Sequence, residues 1–392
     1  MIPDVLVAGG GIAGSAAAIL LGRAGLRVEL FERGEFPREK PCGEGLMPAG
    51  VAVLERLGLA GAVGGAPFRG VRYHFGDQVA TGPFPRAKGM PREGLAQRRA
   101  VLDRVLFEAA AATAGVRAHT RAAVEAPVRE RGRVTGLVVG GVTRHAGLVV
   151  AADGAHSRLR RSLGLDMPPR RPRIGMRAHF RLAPGAAAPP WVDIFLGVGH
   201  ELYVTALPQG ELMVAALAEV RNVRAPAEAL FERWWRAQPR LAERLRGARR
   251  LTTLRGALPL ALRARRGFAS GMVLLGDAAG SLDPITGCGM TQALVSAELL
   301  AGYAARGVAA SDDWLAEFER ARRERLRDSA LLTRGLLWLS RHPGLVPPAL
   351  RALRAWPVLF SHLVGVAGSA RSLSAFGTGA RAGDASRDAV EG

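Results

Sequence analysis

The stretch "DVLVAGGGIAGSAAAILLGRAGLRVELFER" (residues 4–33) decides the fold. Its apolar run Val5–Ala8 reads as a strand buried on both faces. Gly9, Gly11 and Gly14 follow as G-x-G-x-x-G, and a helix of small residues continues at once through Leu21. Gly25 ends that helix, and "RVELFE" reads as a second strand closing on Glu32. Each part has a task in holding a dinucleotide. Gly9 permits the tight turn, Gly11 lets the backbone approach a pyrophosphate, and Gly14 lets helix and strand pack closely. The helix N-terminus offers N–H groups and partial positive charge to phosphates. Glu32, 18 residues beyond Gly14, is spaced to accept hydrogen bonds from a ribose diol.

Around this unit lies a chain of 392 residues, long enough for about two domains. Its mean hydropathy is +0.11, slightly apolar for a globular protein. No uncharged apolar run reaches the roughly 18 residues that a spanning helix needs, and no basic prelude or cleavage site precedes Val5. Cys42 and Cys288 are the two cysteines. They make no disulfide framework and no metal-ligand spacing, so a cytoplasmic compartment and no metal are expected. The net charge of +20 is nearly all arginine, since Lys40 and Lys88 are the only lysines. It is scattered, with no helix-turn-helix, zinc finger or stacking platform, so nucleic acid is not an expected partner.

Two further strand-to-loop junctions resemble the first in design. "AADGAHSRLRR" follows a buried strand and sets Asp153-Gly154 and Ser157 ahead of a basic helix. "LLGDAAG" delivers Asp277 at a strand's carboxyl end, where α/β sheets bind ligands. "DPITGCGM" then leads into a helix whose N–H groups suit an anionic ring edge. A single Asp-Gly pair is more simply a turn, but three such loops in this order outweigh that reading. The two cysteines sit in glycine-rich loops, "KPCGEGLMPAG" (40–50) and "PITGCGM" (284–290), and are expected close in space.

From 171 to 223 the apolar period becomes two. Met176, Ala178, Phe180 and Leu182 alternate with Arg177, His179 and Arg181, which predicts a sheet with one wet face. Phe180 and Tyr203 are candidates for a substrate wall. No His–Asp or carboxylate pair stands out as an acid–base set. After Trp314 the chain reads as basic-amphipathic helix to about Val366, interrupted by prolines.

These motifs, "GGGIAG", "ADGAHSRLR" and "GDAAGSLDPITGCGM", resemble the para-hydroxybenzoate hydroxylase fold group of flavin-dependent oxidoreductases over about residues 4–325. "PCGEGLMP" is similar to the geranylgeranyl reductase branch. The resemblance implies an α/β fold: a Rossmann-type FAD-binding domain of residues 1–72, 95–168 and 267–325. A mixed-sheet substrate domain of 73–94 and 169–266 interrupts it. A C-terminal helical region (326–382) and a disordered tail (383–392) follow. It further implies that Gly9, Gly11, Ala13, Gly14, Glu32 and Arg33 serve the ADP half of FAD. Cys42, Gly43 and Gly45 approach the flavin, Arg99 touches the linker, and Asp277 binds the ribityl chain. Gly287, Gly289 and Met290 reach the isoalloxazine, and Asp153-Gly154 serves FAD and the pyridine nucleotide. The chain departs from the hydroxylases at Gly280, where they often carry histidine. It departs from the prenyl reductases in "TGCG" for "TGEG" and in "YVTALP" for an aromatic "YxWxFP".

The implied activity is an FAD-dependent monooxygenase using NADPH or NADH and O2 on a hydrophobic small molecule, aromatic or polyketide-like, as in secondary metabolism. The alternative is a flavin-dependent reductase of prenyl double bonds. The leucine- and arginine-rich segment 331–360 reads first as a helical cap on the two domains, its prolines interrupting any long amphipathic face, with peripheral membrane association as the alternative.

Overall fold

The computed structural model describes residues 2–375, apart from 170, 187, 307 and 309–311. The expected tail lies outside them. Val5–Ala8 sits within a six-stranded sheet, flanked by the parallel strands Val28–Phe31 and Leu148–Ala151. Met272–Leu274 and Val116–His119 extend the parallel run on either side. The first three strands are buried at every residue, as sheets covered on both faces require. Val5 and Val7 face the helices Ile12–Arg23, Arg99–Ala111 and Gly289–Ala304. Leu6 and Ala8 face a three-stranded antiparallel layer that includes Val134 and Leu137. Strand period two therefore assigns each residue to its layer.

The second sheet is mixed. Its central run is Arg173–Arg181, Glu211–Glu219, His200–Leu207 and Val192–Gly197, all antiparallel. Val192–Gly197 then pairs parallel with Gly70–Phe75, which forms a hairpin with Gln78–Pro83. Three expected boundaries fall inside single elements: 72/73 in Gly70–Phe75, 94/95 in Gly94–Ala96 and 325/326 in the helix Asp313–Ser340. A strand shares one hydrogen-bond ladder and a helix one cylinder, so none of these three positions is a break in the secondary structure.

The wet face expected of this sheet is not wet. Met176, Ala178 and Phe180 pack under the helix Ala227–Arg236, with Phe180 against Trp235 at 6.0 Å between ring centroids. The opposite face carries Arg177 and His179, and these are 1% and 0% exposed. The loop around Glu44 covers them. Pairing register places Tyr203 on their face, so Phe180 and Tyr203 lie on opposite sides of the sheet. Phe180 belongs to the core under that helix, and only Tyr203 faces the loops of the first domain.

The helices Asp313–Ser340, Val346–Ala355 and Pro357–Ala367 cover the rest of Tyr203's face. Leu350, Phe360 and Val364 pack there with Met47, Tyr203, Met213 and Cys288 in one apolar cluster. No helix among the described residues is long and apolar enough to cross a membrane.

Candidate functional site

Four of the sequence candidates stand at the carboxyl ends of adjacent strands. Gly9 follows Val5–Ala8, Glu32 follows Val28–Phe31, Asp153 follows Leu148–Ala151, and Asp277 follows Met272–Leu274. Gly9 has φ +103, and a side chain there would meet the Ala152 carbonyl oxygen at 2.4 Å. Gly14 lies so close to the turn that a Cβ would fall 1.9 Å from the Gly9 oxygen. The helix Ile12–Arg23 begins with no side-chain cap and no acid in its first turn, so its N-terminal dipole is not neutralised by the chain itself.

The Glu32 carboxylate is buried and accepts from the backbone N–H groups of Gly10 (2.9 Å) and Gly34 (3.0 Å). This holds it against the glycine turn. Arg33 is exposed; Arg38 is the arginine that reaches Glu32, at 3.4 Å, and also Asp103, at 3.4 Å. Arg99 is buried and forked onto Asp103 at 2.8 and 2.9 Å. Burial opposes its charge, but Asp103 and the neighbouring Cys42 outweigh that and raise its pKa.

The second and third loops are clasped together. Arg160 donates to the carbonyls of Asp277 and Ala278, both at 3.2 Å, and to that of Ala155 at 2.8 Å. Asp153 Oδ2 accepts from the N–H groups of Arg158 and Leu159 and so caps the short helix beyond. Gly154, at φ +83, passes beside Lys40. Lys40 Nζ lies 3.3 Å from Asp277 Oδ2 and holds that carboxyl below its ordinary range. Ala13 packs against Gly276, which brings the first loop onto the third.

The two cysteine loops also meet. Met47 N donates to Thr291 Oγ1 at 3.1 Å, and both thiols are free. Cys42 is half-buried, and its sulfur accepts from Glu44 N at 3.4 Å. Gly43 O accepts from Thr205 of the second sheet at 3.1 Å, and Gly45 begins the short strand beside Phe68. Cys288 is enclosed between Thr286 and Gln292. Burial pushes its thiol up to about 11, so it stays protonated at neutral pH. Gly287, at φ +67, turns the chain into the helix whose first residues are Gly289 and Met290. That helix too starts without a side-chain cap.

Sequence reasoning missed an ionic network under the Cys42 loop. Glu44 is completely buried, with φ +57. Its Oε2 lies 2.7 Å from His179 Nε2, and its Oε1 accepts from Arg99 N at 3.1 Å. Arg177 pairs with Glu39, donates to the Lys40 carbonyl at 3.1 Å, and sits 3.7 Å from Glu44. Burial works to raise the Glu39 carboxyl, and Arg177 more than offsets it, leaving it below its ordinary range. A left-handed non-glycine residue costs about 1–3 kcal/mol; these partners hold Glu44 there. Glu44 and His179 are 135 positions apart, so no local pattern joins them. The one available signal was the alternation of Arg177 and His179 on a strand.

A glycine turn, a ribose-spaced acid and a second domain closed over the strand ends define a dinucleotide-binding oxidoreductase. The chain belongs to the FAD-binding-domain family of flavin-dependent oxidoreductases, whose model matches residues 3–330. It is 30% identical over 321 residues to a menaquinone reductase of Mycolicibacterium smegmatis, covering 76% of this chain and 75% of that protein. It is also 30% identical over 339 residues to a digeranylgeranylglycerophospholipid reductase of Methanothrix thermoacetophila, covering 83% of each. The structure of the flavin-dependent brominase Bmp2 superposes with a TM-score of 0.81 at 20% identity, over 94% of both chains, and shows the fold alone.

FAD fits the residues present. The helices Ile12–Arg23 and Gly289–Ala304 start at these loops with free N–H groups, the Glu32 carboxylate is fixed beside the glycine turn, and a Cβ on Gly11 would meet nothing nearer than Arg38 at 3.5 Å. Asp277→Ala tests the third loop. The Lys40–Asp277 pair is about one-third exposed on both sides, so its loss is expected to cost at most about 1 kcal/mol of stability. A charged hydrogen bond to the cofactor is worth about 1.5–3 kcal/mol, so FAD affinity should fall roughly 10- to 100-fold. Titration of the refolded apoprotein with FAD, beside its melting curve, separates the two effects.

Proposed function

We propose that this flavoenzyme reduces a carbon–carbon double bond in the isoprenoid chain of a lipid, with NADPH or NADH as the source of hydride and solvent as the source of the proton. One observation carries the reading: two reductases that act on isoprenoid-bearing lipids match this chain at 30% identity over three quarters or more of its length. Hydroxylation, placed first by the motifs, becomes the competing outcome.

Bound FAD supplies hydride transfer; the protein supplies orientation and a dry site. Gly11 and the N-terminus of Ile12–Arg23 would hold the pyrophosphate, Glu32 the ribose, and Asp277 with Lys40 the ribityl chain. The Cys42–Gly45 loop, anchored through Glu44 and Thr205, and the Gly287–Met290 turn would border the ring. Tyr203 donates to the Ile285 carbonyl at 2.8 Å and thereby fixes the segment leading to that turn. Met47, Met213, Leu217 and the helices bearing Phe360 and Val364 exclude water and suit a hydrocarbon chain.

Mass spectrometry of the product tests the reading. Incubation with NADPH and a prenylated quinone or geranylgeranyl lipid is expected to add two hydrogens. A gain of one oxygen overturns it in favour of hydroxylation.

A further inference from the structure

We propose that the outer side of the C-terminal helical layer docks on a bilayer surface bearing anionic lipid. Among the described residues, Leu331, Trp338, Leu345, Trp356 and Val358 are exposed large apolar side chains, and all fall within 28 positions. Trp338 and Trp356 are 52% and 63% exposed, and Val358 is 77% exposed. The other four tryptophans are buried or half-buried. Folding leaves these two in water although the same layer buries Leu350, Phe360 and Val364 on its inner side.

From Ser329 onward the segment's own charge has one sign, with Asp328, one turn before Leu331, and Glu219, paired with Arg341, at its border. Residues 329–383 contain no aspartate or glutamate. Arg334, Arg351 and Arg354 are exposed and have no acidic partner among the described residues. Leu331, Arg334 and Trp338 follow one another at helical spacing of three and four along Asp313–Ser340, so they share its outer side. Tryptophan settles at the boundary between headgroup and acyl chain. Each arginine near an anionic surface adds about 1 kcal/mol of attraction. The combination selects a charged bilayer over an acid-free apolar partner. No described helix can span it, so the contact lies in the interface.

The placement also connects with the site. The inner side of the layer forms the cluster with Met47, Tyr203 and Cys288. Thr333 of the long helix lies 3.4 Å from Thr286, in the turn that leads to Gly287. A docked protein therefore holds its apolar cluster immediately behind the lipid-facing helices. Vesicle binding requires no turnover, so it is tested independently of the proposed reaction.

The experiment uses the full-length holoprotein with sedimentable vesicles of phosphatidylcholine, with and without phosphatidylglycerol. Binding is expected with phosphatidylglycerol at low salt, weakening as salt rises. Brominated acyl chains should quench tryptophan emission. The triple variant Trp338→Ser, Trp356→Ser, Val358→Ser should lose at least about tenfold in partitioning while keeping its flavin content and melting temperature. Failure to sediment at low salt overturns the proposal. So does binding without quenching, or undiminished binding of the triple variant, because another basic face is then responsible. Light scattering covers the remaining occupant: if the triple substitution dissociates a dimer, the face contacts a second copy and the proposal fails.

Discussion

Arg177→Met is expected to destabilise the protein by about 3–5 kcal/mol, the usual result of removing one partner from a buried ion pair. The side chain is 1% exposed and serves four partners, Glu39, the Lys40 carbonyl, the His179 ring at 2.9 Å and, at longer range, Glu44. Methionine preserves much of the volume and removes all of the charge. Glu44, at 0% exposure, then keeps only His179 and backbone donors against its charge. The cavity term is small, so the loss reads the electrostatics. Arg236→Met provides the contrast. That side chain is 67% exposed, pairs with Glu232 one helical turn away and lies 4.4 Å over the Trp235 ring, so its loss should fall within about 1 kcal/mol. Chemical denaturation of both variants checks the difference. Equal midpoints would show that the network contributes nothing to stability and that Glu44 is held by its loop alone.

The same network marks the limit of what the sequence makes legible. The first domain can be read because its signals are local: a strand, three glycines and an acid within 33 residues. The aspartates at 153 and 277 are legible for a similar reason, each following an apolar strand, and the parallel sheet brings both to one edge. Periodicity likewise separates Ala178 from His179. It does not say what covers either side. Arginine and histidine on alternate positions suggest water, whereas the actual cover is a glutamate loop from a distant part of the chain. Lys40, read from the sequence without a role, reaches Asp277 across 237 positions. Arg33, which the resemblance assigns with Glu32 to the ADP half, stands exposed beyond the end of Val28–Phe31, and Arg38 is the arginine that reaches Glu32. For Glu44 and Lys40 the missing information is long-range pairing of charges, which no local pattern contains.

Two neighbouring glycines should separate packing from cofactor binding. Gly14→Ala places a Cβ 1.9 Å from the Gly9 oxygen and 3.2 Å from Ala152. The helix must move away from the strand, and such overpacking typically costs about 1–3 kcal/mol. Both the apoprotein's melting temperature and FAD affinity should fall. Gly11→Ala differs in kind. Gly11 has φ −78, which alanine adopts readily, and its Cβ would meet only Arg38, at 3.5 Å. The apoprotein is therefore expected to melt where the parent does. If the backbone at Gly11 lies against the pyrophosphate, the added methyl occupies that approach, and FAD affinity should drop on the order of 10- to 100-fold, or about 1.4–2.8 kcal/mol. Flavin fluorescence titrations of the two apoproteins, with melting curves run beside them, supply the readout. Unchanged FAD affinity in Gly11→Ala would mean that the cofactor does not approach the turn at this residue. The uncapped helix N-terminus would then have to meet the phosphates from its other side, and Glu32 would lose its claim on the ribose.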